Sequence, residues 1–86
     1  MTVREKRLRA ENIGCVIENV IEKYYPNAKK LRLKLNIEGE NTDKWIMCNP
    51  GINGKNKEKI IAEIEDLLMR PVSIGTRHIY VQKKLV

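Results

Sequence analysis

Phenylalanine is absent from this chain of 86 residues, and one tryptophan and three tyrosines bring the aromatic share to only 5%. Two cysteines and one histidine complete the short inventory of reactive side chains. Cys15 and Cys48 are too few for a disulfide scaffold, and their separation fits neither a redox CXXC pair nor a zinc site. Both read as small apolar residues buried in reduced form. His78 has no carboxylate or nucleophile beside it in sequence, so no nucleophile–base–orienter set can be assembled. The expectation is a protein without enzymatic activity, metal or cofactor. No apolar run approaches the ~18 residues of a membrane helix. The charged N-terminal stretch lacks the apolar segment of a secretory signal. A cytoplasmic protein that does not engage membranes is expected.

What the chain does have is charge and aliphatic pattern. Hydrophobic residues make up 42%, enough for a core and too many for a disordered tail, and the length suits one domain spanning 1–86. From Thr2 to Tyr25, Leu8, Ile13, Val16, Ile17, Val20, Ile21 and Tyr24 recur at helical spacing. Thr2 and Glu5 form a capping-box pattern at its start. Pro26 ends the helix, and the basic tip over residues 1–9 projects past the core. From Lys30 to Glu38, Leu31, Leu33, Leu35 and Ile37 alternate with polar residues, the mark of a half-buried strand. Gly39, Glu40, Asn41 and Thr42 read as a turn into a second strand, Lys44 to Cys48. After a loop at 49–56, with Asn56 as cap, a second helix is predicted from Lys57 to Met69. Its stripe is Ile60, Ile61, Ile64, Leu67 and Leu68, and Pro71 stops it. The tail from Val72 to Leu85 reads as one or two strands, with Gly75-Thr76 suited to a type II′ turn. The order is α-β-β-α-β(β): an α+β domain with a mostly antiparallel sheet and both helices on one face.

The net charge of +6 is not evenly spread. Residues 29–37 and 70–86 each carry +4, while the acids gather in the helices and in one turn over 38–43. Lys30, Arg32 and Lys34 fall on one strand face, where they suit sequence-blind contacts to phosphates. Lys83 and Lys84 extend the row if the last strand joins the sheet, and Arg77 precedes that strand. Lys55 and Lys57 flank a Gly/Asn-rich loop at a helix N-terminus, a place where backbone N–H groups favour anions. These eight residues are the candidate nucleic-acid contacts. The bland alternative is a solvated face whose charges serve solubility.

The loop before the second helix matches neither a Walker loop nor a dinucleotide fingerprint. Its Gly51-Ile52-Asn53-Gly54 run resembles the GXXG clamp of K-homology RNA-binding domains. That family places a helix before the clamp, whereas here a strand runs almost directly into Pro50, so the family is not carried over.

Trp45 is the residue on which function turns. If Glu38 pairs with Asp43, then Leu35 faces Ile46 and Leu33 faces Cys48. Trp45 and Met47 then emerge beside Lys34 and Asn36, where a ring can stack a base or anchor a protein. A slip of one residue buries Trp45 and Met47 and exposes Ile46 and Cys48. Trp45 and Met47, with Arg4 and Arg7 of the helix tip, are the candidate partner-binding residues, since Trp, Met and Arg favour interface centres. Both faces of this strand are apolar, which suggests a covering contact such as a homodimer. Two functions follow. The first is a small nucleic-acid-binding module. The alternative is a phage-type or mobile-element-type regulator or inhibitor that docks on a larger host protein.

Overall fold

Thr2 takes an extended conformation and its hydroxyl accepts from the Glu5 backbone N–H at 3.1 Å, so the first helix starts at the expected cap. A computed structural model describes residues 2–26, 31–48 and 54–84. In chain order the elements are α1 (Val3–Tyr24), β1 (Leu31–Ile37), β2 (Glu40–Cys48), α2 (Gly54–Leu68), β3 (Val72–Ile74) and β4 (His78–Val81). The sheet order is β2-β1-β4-β3, with β1 antiparallel to β2, β4 antiparallel to β3, and the central β1–β4 pair parallel. The sheet is therefore mixed within an α+β fold, and the tail forms two strands.

One apolar layer joins all six elements. From the strands it takes Leu33, Leu35, Ile37, Ile46, Cys48, Val72, Ile74, Ile79 and Val81, every second residue along each strand. From α1 come Ala10, Ile13, Ile17, Val20 and Ile21, and from α2 come Ile60 and Ile64. Both helices thus lie on one face, as the stripes require. Leu8 and Leu67 fall outside the layer at 61% and 62% exposure, because the helices turn those positions to solvent beyond the sheet's reach. Cys15 is exposed as well, while Cys48 is buried.

The turns differ from expectation. The β1–β2 connection is Glu38-Gly39, with φ of 54° and 87° and Ile37 opposite Glu40. Two consecutive left-handed residues make a type I′ hairpin, whose twist matches that of the strands. The four-residue turn at 39–42 does not form; those residues belong to the edge strand. Leu33 pairs with Ile46, two residues from the expected register, so every side chain keeps its face. A bulge opposite Leu35 absorbs the difference between the Lys34–Trp45 and Asn36–Asn41 pairs. The bulge is held by Thr42, whose hydroxyl donates to the Leu35 carbonyl at 2.8 Å and accepts from Lys44 N–H at 3.2 Å.

At the other hairpin, Gly75 N–H donates to the His78 carbonyl at 2.8 Å and Ile74 pairs with Ile79. The tip is therefore Thr76-Arg77, and Gly75 lacks the positive φ that a type II′ turn needs. Asn56 does not cap α2, which opens at Gly54. Its amide instead donates to the Tyr25 hydroxyl at 3.2 Å, tying the start of α2 to the end of α1. The GXXG residues 51–53 lie outside the described residues.

Candidate nucleic-acid interface

The strand alternation that turns aliphatics toward the helices turns a different set of side chains the other way. On β1 these are Arg32, Lys34 and Asn36; on β2, Asn41, Trp45 and Met47; on β3, Ser73; on β4, His78 and Tyr80. No described helix covers this face. Lys34 sits opposite Trp45 on one side and His78 on the other, so the three form a row across three strands. The Lys34 ammonium lies 5.4 Å from the centre of the Trp45 ring, a cation–π contact. Asn36, next along β1, lies beside Tyr80, which is paired with Ser73. The His78 and Tyr80 rings are 5.6 Å apart and inclined by 31°. Trp45 is 47% exposed and Tyr80 37%, large fractions for rings on a sheet.

Asn36 is the buried polar residue that stiffens this platform. Its amide donates to the Asn41 side-chain oxygen at 2.9 Å, and its own oxygen accepts the Gly39 N–H at 3.1 Å. One side chain thereby fixes both the I′ turn and the bulge, and with them the register that exposes Trp45. Trp45 and Met47 face outward as the Leu35–Ile46 register implies, although the observed pairs lie two residues away, and the one-residue slip that buries them does not occur.

Charge is sorted between the two sides. Among the described residues, the ion pairs are Lys6–Glu40, Arg9–Glu38, Arg70–Glu38, Lys23–Glu63 and Lys44 with both Glu11 and Glu18. None uses Arg32, Lys34 or Arg77, and the one acid among the β2 residues between Asn41 and Trp45 is Asp43, exposed in the bulge. Lys44 is withdrawn from the positive field of the open face. The bulge aims it inward over Gly14, where an added Cβ would stand 2.7 Å from the Lys44 side chain. Its ammonium lies 2.8 Å from Glu18 and 3.3 Å from Glu11, and the hydrogen bond to Glu18 foremost holds it above the usual lysine range.

The eight expected nucleic-acid contacts do not converge as a group. Arg32 and Lys34 share the open face, and Arg77 is exposed at the β3–β4 tip, its carbonyl accepting Lys34 N–H at 2.9 Å. Lys30 lies outside the described residues. Lys55 and Lys57 are in the first turn of α2, within the helical layer on the opposite side of the sheet. Lys83 and Lys84 are exposed but follow Val81, at the Glu38-Gly39 end of the sheet and away from Arg77. They do not lengthen the Arg32–Lys34 row, because β4 ends before them. The four partner-binding candidates divide too. Trp45 and Met47 are on the open face, whereas Arg4 and Arg7 are on α1, where Arg7 lines a groove of about 520 Å³ with Lys6, Ala10 and Glu40. His78 and Tyr80, which are not among the expected contacts, join the face through β4. Their alternation with Ile79 and Val81 was the available signal, but it acquires meaning only once β4 is placed beside β1.

Among the described residues no helix is long and apolar enough to cross a membrane. Comparison of the chain with protein-family models, with curated proteins and with solved structures finds no match.

Proposed function

We propose that this protein is a small non-enzymatic binder of single-stranded nucleic acid, acting in the cytoplasm through the open face of its sheet. The observation that carries the reading is the row Trp45–Lys34–His78, with Arg32 and Tyr80 at its flanks. Rings and cations interleave on this face, with Asp43 the one acid beside it, in the bulge of the edge strand. Unpaired bases stack on exposed rings while cations meet the phosphates between them, and neither contact reads sequence. Duplex DNA offers no free ring faces, so a flat aromatic platform favours the single strand.

The test is binding of a labelled single-stranded oligonucleotide by fluorescence anisotropy across a salt series. The expected result is salt-sensitive binding whose log–log slope falls by about 1.4 when Arg32 and Lys34 are both replaced by alanine, since each phosphate contact on a single strand contributes about 0.7. Binding that is absent, or indifferent to salt, defeats the proposal.

The exposed Trp45 beside Met47 and Arg32 favours one second reading, a regulator or inhibitor docking on a larger protein, because these three residue types anchor interface centres. Face-to-face pairing of two copies brings Arg32, Lys34 and Arg77 against themselves, which disfavours a homodimer through this surface. A stoichiometric protein partner retained after nuclease treatment, and released by Trp45→Ala, decides for docking.

A further inference from the structure

The open face has a geometry that goes further than a general affinity for unpaired strands. Trp45 and Tyr80 are separated by two strand spacings across the sheet and by two residues along it. With strands about 4.8 Å apart and a rise of about 3.3 Å per residue, their Cα atoms are about 12 Å apart. Stacked nucleotides rise only about 3.4 Å per step, so three successive bases of a helical strand span about 7 Å and cannot reach both rings. A strand whose bases are unstacked and splayed is longer per step than a stacked one, so two such steps do reach.

What lies between the rings suits a middle nucleotide. Lys34 stands in the Trp45–His78 row, 5.4 Å from the Trp45 ring centre, where its ammonium meets the phosphates linking the two outer bases. His78 lies half-buried beside Tyr80, 5.6 Å ring to ring, as a lower shelf next to the more exposed tyrosine. The Tyr80 ring also leans over Gly75, where an added Cβ would stand 3.4 Å from it. Gly75 does not have positive φ, and an added Cβ would make only ordinary contact with the ring, so the Tyr80 ring packs against the chain at this position.

We infer that the open face is a three-nucleotide subsite for an unstacked single strand, with outer bases on Trp45 and Tyr80 and the middle nucleotide over Lys34 and His78. The inference rests on the nucleic-acid reading above and adds a footprint and a strand conformation. It excludes duplexes, and equally excludes single strands held in a stacked helix.

Trp45 is the only tryptophan, so its fluorescence reports on one end of the subsite. Oligothymidylates and oligouridylates of one to six nucleotides are titrated separately at low salt, with a blunt DNA hairpin as the duplex arm. Affinity is expected to rise steeply up to three nucleotides and gently beyond, in whichever sugar series binds. Tyr80→Leu is expected to remove the step from two to three nucleotides, weakening the trimer about ten- to hundredfold as the loss of one stacked base implies, while Trp45 quenching at saturation persists. Tyr80→Phe, which keeps the ring, retains the step. Both variants are checked for unchanged circular dichroism, and Tyr80 is exposed enough for either side chain. Affinity that grows evenly with length, a break at three that Tyr80→Leu leaves in place, or equal quenching by the hairpin overturns the footprint while the nucleic-acid reading stands. The absence of quenching and binding with every oligonucleotide overturns both.

Discussion

On the helix-covered face of the sheet the strand positions hold Leu33, Leu35, Ile37, Ile46, Cys48, Val72, Ile74, Ile79 and Val81, whereas the opposite face holds Arg32, Lys34, Trp45, Met47, His78 and Tyr80. The charges that do approach the covered side are matched at once. Lys44 lies between Glu11 and Glu18, and Glu38 lies between Arg9 and Arg70. On the open side, Arg32 and Lys34 take part in none of the ion pairs among the described residues. Solubility alone does not require this sorting, because interspersed signs serve solubility equally well. The difference teaches that one face holds the chain together, while the other carries the exposed rings and free cations on which the proposed nucleic-acid binding rests.

Substitutions on the two faces should therefore separate stability from binding. The largest effect is expected from Leu35→Ala, fully buried at the centre of the covered face. Urea denaturation should show a loss of about 2–5 kcal/mol, enough to unfold much of a domain of this size. Next comes Asn36→Ala, which sits on the open side but is buried and serves the fold. Removing it strips the Gly39 N–H and the Asn41 side chain of their partner. It should cost about 1–3 kcal/mol. It should also loosen the hairpin enough to change the Trp45 emission spectrum. Replacing Arg32 and Lys34 together should leave unfolding within about 0.5 kcal/mol of the parent while reducing nucleic-acid affinity. A loss of stability equal to that of Leu35→Ala would erase the distinction between the faces.

Two smaller effects concern ionisation. Tyr24 donates to Glu63 at 2.7 Å and Lys23 lies 3.0 Å from the same carboxylate, so Glu63 is held below the usual carboxylate range and Tyr24 above the usual phenol range. A depressed Glu63 contributes stability that is present above the ordinary glutamate pKa and lost as pH falls through its folded value. A raised Tyr24 contributes stability that is present below pH ~10 and lost as pH rises through its folded value. Tyr24→Phe should flatten the alkaline limb of the stability profile and weaken the acid limb. The thiols should differ as well. Burial foremost pushes Cys48 up to about 12, with Glu18 adding to it, while Cys15 is exposed. A thiol reagent at pH 8 should modify Cys15 in the native protein and reach Cys48 only after unfolding.

Much of the fold was legible because its signals are local. The Thr2–Glu5 cap, the Ile17–Val20–Ile21 stripe and the leucine alternation of β1 depend on residues within a turn or two of each other. The hairpin was less legible. Glu38 adopts φ of 54° with its carboxylate paired to Arg9 and Arg70 and its N–H donating 2.7 Å to Val81. All three partners are distant in sequence. Without them, Glu40 to Thr42 looked like turn residues, although they form the bulged edge of β2. Leu8 and Leu67 show the converse: correct spacing for a buried stripe, but no sheet beneath them. For the site, Arg32 and Lys34 could be read from the alternation of β1, and the emergence of Trp45 from one of two registers. Lys55, Lys57, Lys83 and Lys84 could not be sorted, because charge along the chain carries no record of which layer an element joins.

Period and chemistry along the chain therefore determined which segments are helices and strands, which side of each is apolar, and that basic residues alternate with leucines on the first strand. Those are properties of neighbouring residues and need no partner to be expressed. The tertiary structure alone decided that β4 lies parallel beside β1. That pairing puts His78 and Tyr80 next to Lys34 and Asn36 and makes a ring-and-cation surface from residues more than forty positions apart. Strand order is set by how the whole apolar layer packs against two helices, an energy summed over all six elements, and no single stretch of the chain contains it.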